Sequence, residues 1–192
     1  VLPQEKEEKK LEPAETIELS LSEVETVKEN LNLEDQKGGK LLIMGSPGSG
    51  KTEFVGALSN SKRAVRSEHG LDLGHLLLDR DIDLFLLGVT ISEKAIETIH
   101  KLSEGVSGYV FLVDSEREDL LEYTNYLVNY LASRNDIPWT IAMTRSSDPQ
   151  TLKGIQKSFT FSVPVEWQIC DCTDTASIRD TLLSLRKHEI PE

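Results

Sequence analysis

The sequence predicts an α/β fold, a mixed β-sheet flanked by helices, on three observations. From Lys40 onward, short apolar runs suited to buried strands alternate with segments of helical spacing. Two of these runs, Gly74 to Leu78 and Ile82 to Leu87, are separated only by Asp79-Arg80-Asp81. That link is far too short for a helical crossover, so the two strands form an antiparallel hairpin beside parallel neighbours. The third observation is Gly45-Ser46-Pro47-Gly48-Ser49-Gly50-Lys51-Thr52, which satisfies G-x-x-x-x-G-K-[ST].

The glycine loop has the right context on both sides. Lys40-Leu41-Leu42-Ile43-Met44 reads as a buried strand, and Thr52 to Leu58 as a helix with Phe54, Val55 and Leu58 on one face. Glycines let backbone N–H groups turn inward around a phosphate, and the helix N-terminus adds partial positive charge. Lys51 then reaches the β- and γ-phosphates of a nucleotide, and the Thr52 hydroxyl holds Mg²⁺. A purine nucleoside di- or triphosphate is the expected ligand.

Residues 1–39 differ in character. They contain eleven Asp or Glu, five Lys and no aromatic residue, so they bury too little to fold alone. They are expected to form an acidic, flexible extension or linker, in which Ser22 and Glu25 can cap a short helix bearing Val24, Val27 and Leu31. Gly38-Gly39 marks the boundary, and residues 40–192 form the domain. Asn60 to Gly70 is polar and too irregular for an element. After the hairpin, Ile91, Ala95, Ile99 and Leu102 have helical spacing, and Gly108 to Asp114 is a buried strand. Glu118 to Ser133 is a helix, Pro138 opens a strand through Met143, and Thr151 to Ser158 is a short helix. Val165 to Cys170 is the last strand, and Ile178, Leu182 and Leu185 line the terminal helix.

Composition narrows the function classes. With 192 residues, 38% hydrophobic and 28% charged, the chain suits one domain with an appended segment. A net charge of −12 argues against nucleic acid or an anionic membrane as main partner. No run approaches the roughly 18 apolar residues of a membrane span, and no signal-peptide pattern opens the chain. It begins at Val1, as an excised piece of a longer protein would. The lone pair Cys170-Asp171-Cys172 lacks two further ligands for structural zinc and reads as reduced thiols in a cytoplasmic protein. The four histidines suggest no metal or triad arrangement.

The chain resembles the Ras superfamily of small GTPases, most of all the bacterial MglA-like branch. The residues that carry this are KLLIMGSPGSGKTEFVGALS, the LDLGHLLLDRDIDLFLLG hairpin, GYVFLVDSER and IPWTIAMTRSSD. The resemblance covers roughly residues 40 to 188. It implies a Ras-like G domain within the P-loop NTPases, with a six-stranded mixed sheet and one antiparallel edge strand. GTP or GDP is the implied ligand, Mg²⁺ the cofactor and a roadblock-type regulator the implied protein partner.

The remaining family motifs are degraded. Where the family has its switch I threonine, this chain has Arg66-Ser67-Glu68-His69-Gly70, in which Ser67 imitates the Mg²⁺ ligand and Glu68 would repel phosphate. Where D-x-x-G belongs stand Gly88-Val89-Thr90-Ile91, followed by Ser92 in place of the water-orienting glutamine. Asp114 ends a strand on the other flank of the loop strand and reads as a capping residue. In the base-reading segment, Thr144 stands for Asn and Arg145 stacks on the base, with Asp148 one residue late and Ser147 at the aligned position. A bulge would bring Asp148 to guanine. The last nucleotide loop falls on Cys170, Asp171 and Cys172.

Phosphoryl transfer depends on positioned charge and a positioned nucleophile. The cradle is present and the γ-phosphate and water-orienting groups are not, so GTP hydrolysis is expected to be slow or to need a partner. The functional expectation is a divergent GTP-binding regulatory protein. Two alternatives remain: a pseudo-GTPase scaffold with constitutive or no nucleotide binding, and a small nucleotide or metabolite kinase. The kinase would need a lid built on Lys62, Arg63 and Arg66.

Overall fold

The computed structural model describes residues 17–33, 38–59, 66–68, 71–79, 82–92, 95–132, 137–161 and 163–188. In chain order its elements are α1 (Leu21–Asn30), β1 (Gly38–Gly45), α2 (Lys51–Leu58), β2 (Arg66–Glu68), β3 (Leu71–Asp79) and β4 (Ile82–Thr90). Then follow α3 (Ile96–Leu102), β5 (Gly108–Asp114), α4 (Leu121–Ala132), β6 (Trp139–Thr144), α5 (Pro149–Gln156), β7 (Trp167–Ile169) and α6 (Thr175–Leu183). The sheet order is β2-β3-β4-β1-β5-β6-β7.

The expected six-stranded mixed sheet is present, with β1, β4, β5, β6 and β7 parallel and β3 antiparallel to β4. A seventh strand is added at its edge. Arg66–Glu68, expected to be irregular, pairs antiparallel with β3, so β3 is not the outermost strand. Backbone pairing to an open edge needs no hydrophobic period, and this polar segment carries none. Both hairpin strands also run longer than their apolar cores, β3 beginning at Leu71 and β4 ending at Thr90.

Alternation along the strands divides the core between two faces. Leu41, Ile43, Leu84, Leu86, Val110 and Leu112 pack under α1, α2 and α6. Leu42, Met44, Val89, Phe111, Ile141 and Met143 pack under α3, α4 and α5. Strands covered on both faces read as continuous apolar runs, which is why β1, β5 and β6 were legible in the sequence.

Within the N-terminal segment expected to be a flexible linker, residues 17–33 pack on the sheet, and residues 1–16 and 34–37 lie outside the described residues. Its helix is capped by Ser20 with Glu23, not by Ser22 with Glu25. Ser20 N donates to Glu23 Oε2 at 2.8 Å, and Glu23 also pairs with Arg179 of α6 at 3.3 Å. Ile17, Val24, Val27, Leu31 and Leu33 are all buried. Leu31 fills the space over Gly108 of β5, and Leu33 fills that over Gly39 of β1. The segment cannot form a core of its own, but it completes one that the sheet leaves open. Leu31→Ala is therefore expected to lower unfolding stability by about 2–5 kcal/mol in a urea titration. A change within error would mean that the segment unfolds separately from the sheet.

Candidate functional site

The sheet places a binding site at the C-terminal end of β1. After β1 the chain crosses to the far edge and returns inward through β2, β3 and β4, then runs outward on the other side through β5, β6 and β7, making β1 the topological switch point where open α/β sheets bind ligands. The loop from Gly45 to Gly50 leads directly into Lys51, the first residue of α2. No side chain caps this helix, and Gly50, with φ +92°, turns its first N–H groups toward the loop. A Cβ on Gly50 would lie 2.6 Å from Cys172 Sγ, so a glycine is needed for space as well as for conformation.

Lys51 is 5% exposed, and its ammonium lies inside the loop, donating to the Ser46 carbonyl at 2.8 Å. Burial lowers its pKa, and the nearby carboxylates Asp72, Glu53 and Asp114 oppose that shift. The Ser46 and Ser49 hydroxyls are buried without a partner among the described residues.

A cleft of about 330 Å³ opens beside the loop, lined by Ser49, Gly50, Thr144, Arg145, Cys170 and Asp171 among others. Three separate loops are thus brought together, those after β1, β6 and β7. Arg145 adopts φ +68°, and its guanidinium Nε donates to the Gly48 carbonyl at 2.8 Å, bracing the glycine loop from the β6 side. Thr144 is buried, its hydroxyl without a partner among the described residues, and Ser146 and Ser147 line the same wall. A larger cavity of about 440 Å³ lies around Trp139 and Arg186, at the start of β6 and so away from the loop.

Asp148 stands apart from this wall. It is the N-cap of α5, accepting from Gln150 N at 3.3 Å and from Thr151 N at 2.9 Å and Thr151 Oγ1 at 2.8 Å. Those hydrogen bonds hold its carboxyl below the usual range. Asp171 is likewise engaged in its own turn, accepting from Thr173 N at 2.8 Å and Thr173 Oγ1 at 2.7 Å. The free thiols of Cys170 and Cys172 lie 3.8 Å apart. Hydrogen bonding between them lowers the Cys170 pKa and raises that of Cys172.

On the other flank, the residues aligned with D-x-x-G end β4. Ile91 N donates to the Gly45 carbonyl at 2.8 Å, so this N–H is tied to the strand and does not face a phosphate. Ser92 is held by Tyr123, whose hydroxyl donates to the Ser92 carbonyl at 2.9 Å. Asp114 closes a turn by accepting from Glu116 N at 2.9 Å. The Ser67 and Glu68 side chains, and all of Lys62, Arg63, His69 and Gly70, lie outside the described residues.

The residue that sequence reasoning missed is Asp72. It lies on β3 in the hairpin, is 3% exposed, and accepts a hydrogen bond from Thr52 Oγ1 at 2.9 Å through Oδ2. Its other oxygen has no partner among the described residues. The alternating stretch Leu71-Asp72-Leu73 reads as an acid facing solvent, whereas the structure turns Asp72 inward and leaves Leu73 43% exposed. Among the described residues no cluster of three or more His, Cys, Asp or Glu could hold a metal. One hydroxyl and one carboxylate nevertheless suit Mg²⁺, a hard cation held by one or two carboxylates plus substrate phosphates.

No family model matches the chain, and no curated protein matches it. Among solved structures it is similar to an ADP-ribosylation-factor-like GTP-binding protein from Encephalitozoon cuniculi, the small COPII coat GTPase SAR1, in complex with GDP. The TM-score is 0.57 at 12% identity, over 85% of this chain and 84% of that one. The likeness establishes a Ras-like small-GTPase fold. Among the described residues no helix is long and apolar enough to cross a membrane.

Because the Asp148 carboxylate caps α5, Asp148→Ala is expected to cost about 1 kcal/mol of stability in thermal or urea melts. Relative affinity for GTP and ATP analogues should stay unchanged. A fall in GTP preference with stability intact would mean that the carboxylate leaves the helix and reads the base.

Proposed function

We propose that this chain is a divergent GTP-binding regulatory protein whose hydrolysis is slow or depends on a partner. The observation that carries this reading is the loop itself. Lys51 lies inside it, uncapped N–H groups of α2 face it, and Arg145 braces it beside a cleft of nucleoside dimensions. Phosphate oxygens would take the place of the Ser46 carbonyl as acceptors for Lys51, and backbone N–H groups would bind the rest of the anion. Mg²⁺, when bound, would neutralise charge between the phosphates, with the Thr52 hydroxyl as the loop's own oxygen donor.

Hydrolysis has no such support. Ser92 cannot orient water as a glutamine would, and the Ile91 N–H is committed to Gly45. Those two features favour the second reading, a pseudo-GTPase scaffold that holds nucleotide constitutively without switching. Guanine preference would rest on backbone groups and on Ser147, since Asp148 is engaged in capping. Membership of the MglA-like branch, a roadblock-type regulator and a cytoplasmic setting are proposed from the motifs alone.

The experiment is a titration with fluorescent GTP, GDP and ATP analogues. Lys51→Ala should weaken triphosphate binding about 10- to 100-fold, the worth of one charge-assisted hydrogen bond of about 1.5–3 kcal/mol. Unchanged affinity would remove the nucleotide reading. Phosphate release near background from a protein that binds GTP would favour the scaffold.

A further inference from the structure

We infer that Asp72 and Thr52 form a divalent-cation site for the nucleotide phosphates, with Asp72 supplying its carboxylate from β3, the antiparallel hairpin strand. This rests on the nucleotide reading above and adds to it the residue that holds the metal.

The argument begins with the cost of the arrangement. Asp72 is 3% exposed, makes no ion pair among the described residues, and leaves Oδ1 without a hydrogen bond there. If the fold needed only an acceptor for Thr52, a neutral Asn would serve without burying a charge. A polyphosphate drawn in by Lys51 would be repelled by Asp72 unless a cation stood between them, and a bound cation turns that repulsion into attraction. Thr52 Oγ1, 2.9 Å from Asp72 Oδ2, is the second oxygen at the same point.

The neighbouring strand is built to admit this carboxylate. Asp72 pairs across the sheet with Gly88, so both point to the face carrying α2. A Cβ on Gly88 would lie 2.9 Å from Asp72 Cβ and 3.1 Å from Oδ2. The space holds one side chain, and it can come from either strand. Position 88 is where the sequence resemblance expects a metal-binding aspartate, and this chain has moved the acid across one strand pair. The other acids near the loop do not compete, since Glu53 is exposed and Asp114 accepts from Glu116 N on the β5 side.

The test is titration of fluorescent GDP and GTP analogues with Mg²⁺ and with EDTA, on the wild-type chain, Asp72→Asn, and the swap Asp72→Gly with Gly88→Asp. Thermal melts monitor folding. Wild-type affinity should rise with Mg²⁺, and Asp72→Asn should lose about 10–100-fold in the Mg²⁺ concentration needed, as disabling a metal-supporting carboxylate does. The swap should recover much of that loss. If Asp72→Asn does not fold, the swap decides: Mg²⁺-dependent binding supports the site, and a folded swap that binds nucleotide without regard to Mg²⁺ overturns it. Full Mg²⁺ dependence in a folded Asp72→Asn also overturns it while leaving the nucleotide reading intact. Wild-type binding that is blind to Mg²⁺ has the same meaning. Absence of any wild-type nucleotide binding would overturn both.

Discussion

Strand β1 is hydrogen-bonded in parallel on both sides, to β4 from Gly38 to Gly45 and to β5 from Leu41 to Gly45. Every structural feature of the candidate site is positioned from that strand. With Leu41, Leu42, Ile43 and Met44 fully buried and their backbone groups paired, the loop that follows springs from a rigid origin. The loops after β6 and β7 reach it through a continuous parallel ladder, which is how Arg145 and Cys172 come to touch Gly48 and Gly50 across about a hundred residues of chain.

The same ladder works against switching. A γ-phosphate sensor needs a segment free to order and release. Here the corresponding segment continues the ladder through Ile91 N–H to Gly45 and is then held by Tyr123 at Ser92. The hairpin side keeps a carboxylate beside Thr52, on a different strand from that segment.

Acidity is distributed with the same logic. The net charge of −12 discourages nucleic-acid contacts over the surface as a whole, while Lys51 and Arg145 concentrate positive charge where an anion would sit. At the other side of the fold, the N-terminal helix lies against α6 through Glu23–Arg179 and through Asn30, whose side chain donates to the Leu183 carbonyl at 3.4 Å.

The strands buried on both faces, the hairpin and the phosphate loop were legible in the sequence because each follows from local chemistry: apolar runs, a link too short to cross over, and glycines before Lys-Thr. The helix cap at Ser20 was less legible because two overlapping S-x-x-E patterns fit, and β2 because its residues carry no period. Asp148 looked available to a base because its capping role depends on where α5 begins. Asp72 was hidden by register. A bulge between Leu77 and Asp79 shifts the hairpin pairing by one, setting Asp72 opposite Gly88 rather than Val89. A one-residue slip sends a side chain to the other face of a sheet. That a glycine loop followed by Lys-Thr ends a buried strand follows from neighbours in the chain alone. Which carboxylate stands beside it was decided by tertiary structure, because cross-strand register depends on a bulge that no local pattern marks.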